Sequence, residues 1–72
     1  MPDWSKQVFS TNASNIAYEV EGGRLIVTWV KGSRRSVYSG VPEDLALQCA
    51  NAASVGSFLN TEIKPNFPHT YI

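Results

Sequence analysis

A pair of adjacent glycines between two β-type segments constrains the fold of this chain more than any other feature. Residues 16–21 alternate between apolar and polar side chains, as in a strand with one buried face. Residues 25–30 form the β-rich run Leu-Ile-Val-Thr-Trp-Val. Gly22 and Gly23 provide the positive φ angles that a two-residue hairpin turn requires. The sequence therefore predicts an antiparallel hairpin.

A second reversal at residues 31–33 leads into a predicted third strand, residues 34–39, and completes a three-stranded antiparallel meander. The register follows from the lengths of the two loops. A two-residue loop pairs Tyr18 with Val27, and a three-residue loop pairs Val27 with Val37. The core face then carries the following side chains: Ile16, Tyr18, Val20, Leu25, Val27, Trp29 and Val37, with Arg35 at its margin.

The opposite face of this meander is called here the predicted open face. It carries both charged and apolar side chains: Ala17, Glu19, Glu21, Arg24, Ile26, Thr28, Val30, Arg34, Ser36 and Tyr38. The register places Glu21 opposite Arg24, an ordinary cross-strand ion pair. Further cations, Lys31 and Arg35, lie close to the second turn.

The pattern becomes helical after residue 41. Pro42 suits a first helical position, and Glu43 and Asp44 place negative charge at the positive end of the helix dipole. Ser54 is a predicted N-cap for a second helix that ends at Pro65. Each helix has one apolar stripe: Leu45, Ala46, Cys49, Ala50 and Ala53 in the first, and Val55, Phe58, Leu59 and Ile63 in the second. We expect both helices to pack on one face of the sheet, which gives a two-layer α+β fold.

The 72 residues are enough for one small domain. Residues 1–11 are mixed polar and apolar without periodicity, and we interpret them as an extended N-terminal arm. Residues 12–65 form the predicted single α+β domain. Residues 66–72 form a predicted extended C-terminal tail.

Few residues are available for chemistry, and this excludes several classes of function. One His and one Cys cannot form a metal site, and a Cys–His pair would still lack an orienting group and an oxyanion hole. Six Lys and Arg residues balance six Asp and Glu residues, so the chain lacks the field of a dedicated nucleic-acid binder. We expect no enzymatic activity, no cofactor, no metal and no small-molecule substrate.

The single thiol, Cys49, indicates a reducing compartment, because small secreted domains usually carry several disulfides. The first residues do not have the pattern of a signal peptide, and no apolar run is long enough to cross a membrane. We therefore expect a cytoplasmic protein without a membrane partner. The oligomeric state is left open.

Two short motifs carry a family resemblance. They are residues 38–42, Tyr-Ser-Gly-Val-Pro, and residues 53–60, Ala-Ser-Val-Gly-Ser-Phe-Leu-Asn, followed by Ile63. From about Val8 to Pro68 the chain resembles the KTSC domain family, found at the C-terminus of some lysyl-tRNA synthetases and as free-standing bacterial and phage proteins. The resemblance implies strands followed by helices, and it suggests RNA binding. The family's Tyr-x-Tyr is here Ser36-Val37-Tyr38, so one of the two aromatic side chains is missing.

Two hypotheses for the function follow. The favoured one is a small phage or bacterial regulator or accessory protein that docks on a larger protein of the transcription or translation machinery, for example RNA polymerase. An apolar centre with an Arg and Tyr rim is typical of such a surface. The alternative is an RNA-binding module, in which Tyr38 stacks on a base. The binding residues assigned to the predicted open face are Arg24, Ile26, Val30, Arg34, Ser36 and Tyr38.

Overall fold

One antiparallel sheet forms the larger layer of the protein, and its strand order follows the order of the chain. The computed structural model describes residues 2–9 and 12–71. Within these residues the strands are β1 (Trp4–Gln7), β2 (Ala13–Glu19), β3 (Arg24–Trp29), β4 (Arg35–Tyr38) and β5 (His69–Tyr71). The second layer contains α1 (Glu43–Ala50) and α2 (Val55–Phe58), and α2 continues directly into a π-helical segment, Leu59–Ile63. None of the helices in these residues is long and apolar enough to cross a membrane.

The α+β class is confirmed, but the prediction of a three-stranded sheet is wrong, because the described residues form five strands. The arm predicted over residues 1–11 contains β1, and the tail predicted over residues 66–72 contains β5. Residues 1, 10, 11 and 72 lie outside the described part of the chain. Three of the four residues of β1 are exposed, so this strand has no apolar alternation that the sequence could reveal.

Single aromatic contacts help to attach the two outer strands. The ring of Trp4 in β1 stacks on Tyr18 with the ring centroids 5.7 Å apart. Its indole Nε1 donates a hydrogen bond to Glu43 Oε2 at 3.2 Å, which links β1 to the start of α1. At the other edge, the ring of His69 in β5 lies 5.2 Å from that of Tyr38 in β4.

The first hairpin has a longer loop than predicted. Glu19 pairs with Arg24 and Tyr18 with Leu25, so the loop contains four residues, 20–23. A shift of two residues leaves every strand side chain on its predicted face. The outcome differs only in the loop: Val20, predicted in the core, is 55% exposed. The predicted pairing of Glu21 with Arg24 is replaced by an ion pair between Arg24 and Glu19, with Nη1 and Oε1 3.7 Å apart.

The second hairpin differs from the prediction by one residue, which exchanges the faces of β4. Val27 pairs with Ser36 and Leu25 with Tyr38, because residues 30–33 form a four-residue loop with a single 3₁₀ turn. Gly32 adopts a φ of +73° in this turn. Ser36 and Tyr38 therefore lie on the core face, with 1% and 2% of their surface exposed. The placement of both residues on an exposed face is thus wrong.

The same one-residue shift moves two other residues of β4. Val37, predicted in the core, pairs with Ile26 on the opposite face and is half-buried. Arg35, predicted beside Trp29 at the core margin, instead pairs with Thr28 and is exposed. A register error of two residues is harmless to the assignment of faces, whereas an error of one residue inverts it.

The helices pack on the sheet face that carries Leu25 and Val27, as predicted. Pro42 is the N-cap of α1 rather than its first residue. Ser54 is the N-cap of α2, and its side chain accepts a hydrogen bond from the backbone N–H of Ser57 at 3.4 Å. The buried helix residues are Ala46, Cys49, Ala50, Val55, Gly56, Leu59 and Ile63, whereas Ala53 is exposed. Burial raises the pKa of the Cys49 thiol to about 11, so at neutral pH this side chain is a small uncharged group within the core.

Candidate functional site

The six residues assigned to the predicted open face do not form one surface. Ser36 and Tyr38 are buried in the core. Arg24 and Ile26 lie on the sheet face that none of the described helices covers. Val30 and Arg34 lie in the loop between β3 and β4, at one end of the sheet. The register shift in β4 is the reason that the set is divided.

The sheet face without helices is called here the helix-free face. Its side chains follow from the register: Ser5, Gln7, Asn15, Ala17, Glu19, Arg24, Ile26, Thr28, Arg35, Val37 and Thr70. Ala17, Ile26 and Val37 are directly paired neighbours and form a short apolar row across three strands. The Arg24–Glu19 ion pair flanks this row on one side. This face is mixed in character and carries no dominant charge.

A cavity of about 640 Å³ opens at the end of the sheet, and we call it the cationic groove. Three parts of the chain form it: residue 12 just before β2, the β3–β4 loop with the last residue of β3, and the helical segment from α2 to residue 64. The residues that line it are Asn12, Trp29, Lys31, Gly32, Arg34, Gly56, Asn60 and Lys64. The sequence predicts neither the groove nor this combination of residues.

Backbone hydrogen bonds fix the walls of the groove. The backbone N–H of Val30 donates to the carbonyl oxygen of Asn12 at 2.9 Å, next to an irregularity in β2 between Ala13 and Asn15. The N–H of Trp29 donates to the carbonyl oxygen of Arg34 at 2.7 Å and closes the β3–β4 loop. These bonds hold the loop against the start of β2.

The third wall comes from the helical segment. The N–H of Lys64 donates to the carbonyl oxygen of Leu59 at 2.7 Å, a π-type bond across five residues. Leu59 and Ile63 face the core, and Asn60 and Lys64 line the groove. π-Helical turns are often found at functional sites. Here the π-helical turn lies where the helix meets the groove.

The groove concentrates positive charge. Lys31, Arg34 and Lys64 are three of the six Lys and Arg residues of the chain. No Asp or Glu lines the groove in the described part of the chain. Within residues 2–9 and 12–71, no carboxylate forms an ion pair with any of these three cations. The local excess of charge, in a chain with no net charge, makes the groove attractive to an anion.

Trp29 provides the aromatic side chain of the groove. It is half-buried and packs against the core. Its indole Nε1 donates a hydrogen bond to the hydroxyl oxygen of Ser36 at 2.8 Å. Ser36 is almost fully buried, so the N–H edge of the indole is directed into the protein. The hydrogen bond therefore satisfies two polar groups and orients the ring.

The described residues contain no cluster of three or more His, Cys, Asp or Glu side chains that could hold a metal ion. Cys49 and His69 belong to different layers, since Cys49 is buried in α1 and His69 lies in β5. The groove therefore offers charge, amide groups and an aromatic surface. That combination suits recognition of a ligand.

Sequence reasoning could have found only part of the groove. Lys31 and Arg34 are close in sequence, and the sequence predicts both at or next to the second turn. Lys64 lies thirty residues further along, at the end of a helix, and only the tertiary structure brings it to the same cavity. The alternation of apolar residues assigns Trp29 to the core, against which it does pack. This pattern does not indicate that Trp29 also lines the groove.

The profile of the KTSC domain matches residues 9–67 of the chain. Among solved structures, the crystal structure of a KTSC domain protein from Yersinia pestis superimposes with a TM-score of 0.86. The two proteins share 26% sequence identity, and the match covers 96% of each chain. A search of curated proteins finds no match.

Proposed function

This chain belongs to the KTSC domain family, and we propose that it is a small non-enzymatic binding module that holds single-stranded RNA by its phosphates in the cationic groove. The observation that carries the proposal is the collection of Lys31, Arg34 and Lys64 in one cavity that no carboxylate lines within the described residues. This site replaces the predicted open face as the location of an RNA-binding surface.

The strength of such binding follows from its charge. Each phosphate that a Lys or Arg neutralises releases condensed counterions, so affinity falls as salt rises. For three contacts to a single strand, a fourfold increase in salt reduces the affinity about 20-fold. The rest of the chain carries three cations against six carboxylates, a net negative charge, so the attraction is confined to the groove.

The volume of the groove suits a segment of a polymer or a small ligand. Binding cavities for small ligands span roughly 300–1,000 Å³, and this one has about 640 Å³. Its walls come from three separate parts of the chain, so the cations surround the space from more than one side. A flexible single strand can enter such a space, whereas a rigid duplex presents its phosphates on a wide, convex surface.

A protein partner on the helix-free face is the second candidate, as for a regulator of the transcription or translation machinery. The observation that favours it is the row of Ala17, Ile26 and Val37, which crosses three strands without cover from a helix. An apolar centre within a polar rim is the usual arrangement of a protein interface. This candidate uses Ile26 and Arg24 but none of the groove cations.

The test is a titration of a labelled single-stranded RNA oligonucleotide, followed by fluorescence anisotropy at several salt concentrations. We expect Lys31→Gln, Arg34→Gln and Lys64→Gln each to weaken binding and to reduce the salt slope by about 0.7. Lys6→Gln is the matched control, because it removes one positive charge from β1, where Lys6 bonds Asn51 instead of lining the groove. An equal loss in the control would show that only net charge matters, and would overturn the groove proposal.

Ile26→Gln on the helix-free face and Lys64→Gln in the groove separate the two candidates. Wild-type protein is immobilised and incubated with nuclease-treated bacterial lysate. A protein partner of the helix-free face would be captured by it. Capture that is lost in Ile26→Gln and retained in Lys64→Gln, together with no RNA binding in the titration, would favour the second candidate over the first.

A further inference from the structure

We infer that the indole of Trp29 is a stacking surface for one nucleobase, and that its hydrogen bond to Ser36 holds the ring in position. The inference rests on the proposed function and adds a source of selectivity to it. Phosphate contacts alone would accept any polyanion, whereas a stacked base restricts the ligand to nucleic acids with accessible bases.

The orientation of the Trp29 ring favours stacking. The N–H edge of Trp29 is directed to Ser36, with Nε1 and Oγ 2.8 Å apart. The indole has no other hydrogen-bonding group, so whatever part of the ring faces the groove presents carbon surface only. A carbon surface beside three cations cannot add to the binding of a bare phosphate. It is well suited to a ligand with a flat apolar part and a charged part.

The aromatic and cationic groups lie close together at one end of the sheet. Trp29 and Arg34 face each other across the mouth of the β3–β4 loop, joined by the backbone hydrogen bond of 2.7 Å. Lys31 lies in the 3₁₀ turn between them. A nucleotide carries its base and its phosphate on one sugar, so a base against Trp29 places the adjacent phosphates next to these cations.

Ser36 gives the Trp29 ring a rigid support. Ser36 lies in β4 opposite Val27, is 1% exposed and so has little freedom to move. A ring that is already fixed loses little conformational entropy when a base stacks on it. Ser36 is therefore a positioning residue that acts through Trp29, without contact to the ligand.

One more side chain completes the proposed recognition. Asn60 is exposed, belongs to the π-helical segment and lines the groove with Trp29. Its amide group can donate and accept hydrogen bonds at the edge of an unpaired base. In a duplex these edges are already paired, so the site favours a single strand.

The test uses the fluorescence of Trp29. The chain has two tryptophans, and Trp4→Phe leaves Trp29 as the only one while it keeps a ring against Tyr18. In this background we expect single-stranded RNA to quench the emission of Trp29. Inorganic polyphosphate should compete for the groove with little quenching, and duplex RNA of the same sequence should also quench little. Equal quenching by RNA and polyphosphate would overturn the inference.

Affinity measurements provide a second test. We expect Trp29→Leu to weaken binding of single-stranded RNA at least about fivefold, while its affinity for polyphosphate stays unchanged. Trp29→Phe retains an aromatic ring but loses the hydrogen bond to Ser36, so its RNA affinity should lie between those of the wild type and Trp29→Leu. Because Trp29→Leu also changes core packing, circular dichroism of each variant establishes that it is folded. Unchanged RNA affinity in folded Trp29→Leu would overturn the inference.

The role of Ser36 is tested by a double-mutant cycle. Ser36→Ala should weaken RNA binding in the wild-type background but have no further effect in Trp29→Phe, which has no N–H to lose. An equal effect of Ser36→Ala in both backgrounds would exclude a role through Trp29.

The results distinguish this inference from the proposed function. If the groove cations affect RNA binding but Trp29 does not, the proposed function stands and the inference fails. If the wild-type protein binds neither RNA nor polyphosphate, the proposed function fails and the inference with it.

Discussion

The phenolic hydroxyl of Tyr18 donates a hydrogen bond to the carbonyl oxygen of Val41, with the two oxygens 2.6 Å apart. Both residues are buried. The bond joins the second strand of the sheet to the segment that leads into α1, twenty-three residues further along the chain. It therefore links the sheet to the start of the helical layer, and it provides a hydrogen-bond donor for the buried carbonyl of Val41.

Tyr18→Phe tests the contribution of this bond. The ring and its stacking on Trp4 are retained, but the buried carbonyl of Val41 loses its donor. We expect the free energy of unfolding to fall by about 1–3 kcal/mol. Urea denaturation followed by circular dichroism measures the change. A loss below the error of the experiment would mean that water replaces the hydroxyl.

Gly23→Ala should destabilise the protein more than Gly40→Ala, although both glycines have positive φ angles, +59° and +76°. Each alanine incurs about 1–2 kcal/mol for the left-handed backbone. At Gly23 the new Cβ would also lie 3.0 Å from the backbone oxygen of Val41, whereas at Gly40 it would meet no described atom within 4 Å. Chemical denaturation of the two variants isolates the cost of that close approach. Equal losses would show that the contact relaxes freely.

Stability should fall at alkaline pH because of Cys49. Burial raises the pKa of its thiol from 9.0 to about 11, so the folded protein keeps a proton that the unfolded chain releases. The resulting stabilisation is complete below pH 9 and is lost as the pH rises from 9 to about 11. We expect a loss on the order of 3 kcal/mol, at 1.36 kcal/mol per unit of pKa.

Cys49→Ala removes this particular pH dependence and serves as the control. Burial also raises the pKa of Tyr18, more than the nearby carboxylates of Glu43 and Asp3 do, so some alkaline destabilisation remains in that variant. Unfolding curves measured across this pH range for both proteins give the difference. Identical pH profiles would contradict the assignment to the thiol.

The register of β4 can be tested by charged substitutions. Ser36→Lys would place an ammonium group in the core and should unfold the domain or nearly so. Val37→Lys faces away from the helices and should reduce the free energy of unfolding by about 1 kcal/mol or less. The register that the sequence predicts reverses this order. Thermal melts of the two variants therefore decide between the two registers.

Neutralising a groove cation should stabilise the protein while it weakens ligand binding. Lys31, Arg34 and Lys64 line one cavity and repel one another without compensation from a lining carboxylate among the described residues. We expect Lys64→Gln to raise the melting temperature at low salt, with the increase disappearing at high salt as the charges are screened. A decrease at low salt would show that Lys64 makes a favourable contact that outweighs the repulsion.

The prediction of the layers from sequence was correct for identifiable reasons. The alternation in β2 and the composition of β3 assigned Ile16, Leu25 and Val27 to the core, and an error of two residues in the first loop did not change their faces. The helix stripes were visible because Cys49 and Leu59 recur at helical spacing with other apolar residues. Such patterns arise because one face of each element is buried, and the spacing of the apolar residues in the sequence indicates which face that is.

The remaining errors also have physical causes. β1 is mostly exposed and β5 has only three residues, so neither shows a strand period. The second loop contains four residues instead of the predicted three. Because of this one-residue difference, the sequence predicts Ser36 and Tyr38 on the open face, whereas they lie on the core face. The groove depends on Lys64 meeting the β3–β4 loop in space, a tertiary contact for which the sequence has no periodic signal.

The sequential order of the strands has a consequence for folding kinetics. Among the described residues all four strand pairings join consecutive strands, and the three pairings among β1 to β4 close short loops, so they form early at little entropic cost. The pairing of β4 with β5 spans both helices, and we expect it to form last. Folding should therefore begin in the hairpins and finish when β5 docks. Substitutions in β5 should accelerate unfolding while they leave the folding rate almost unchanged.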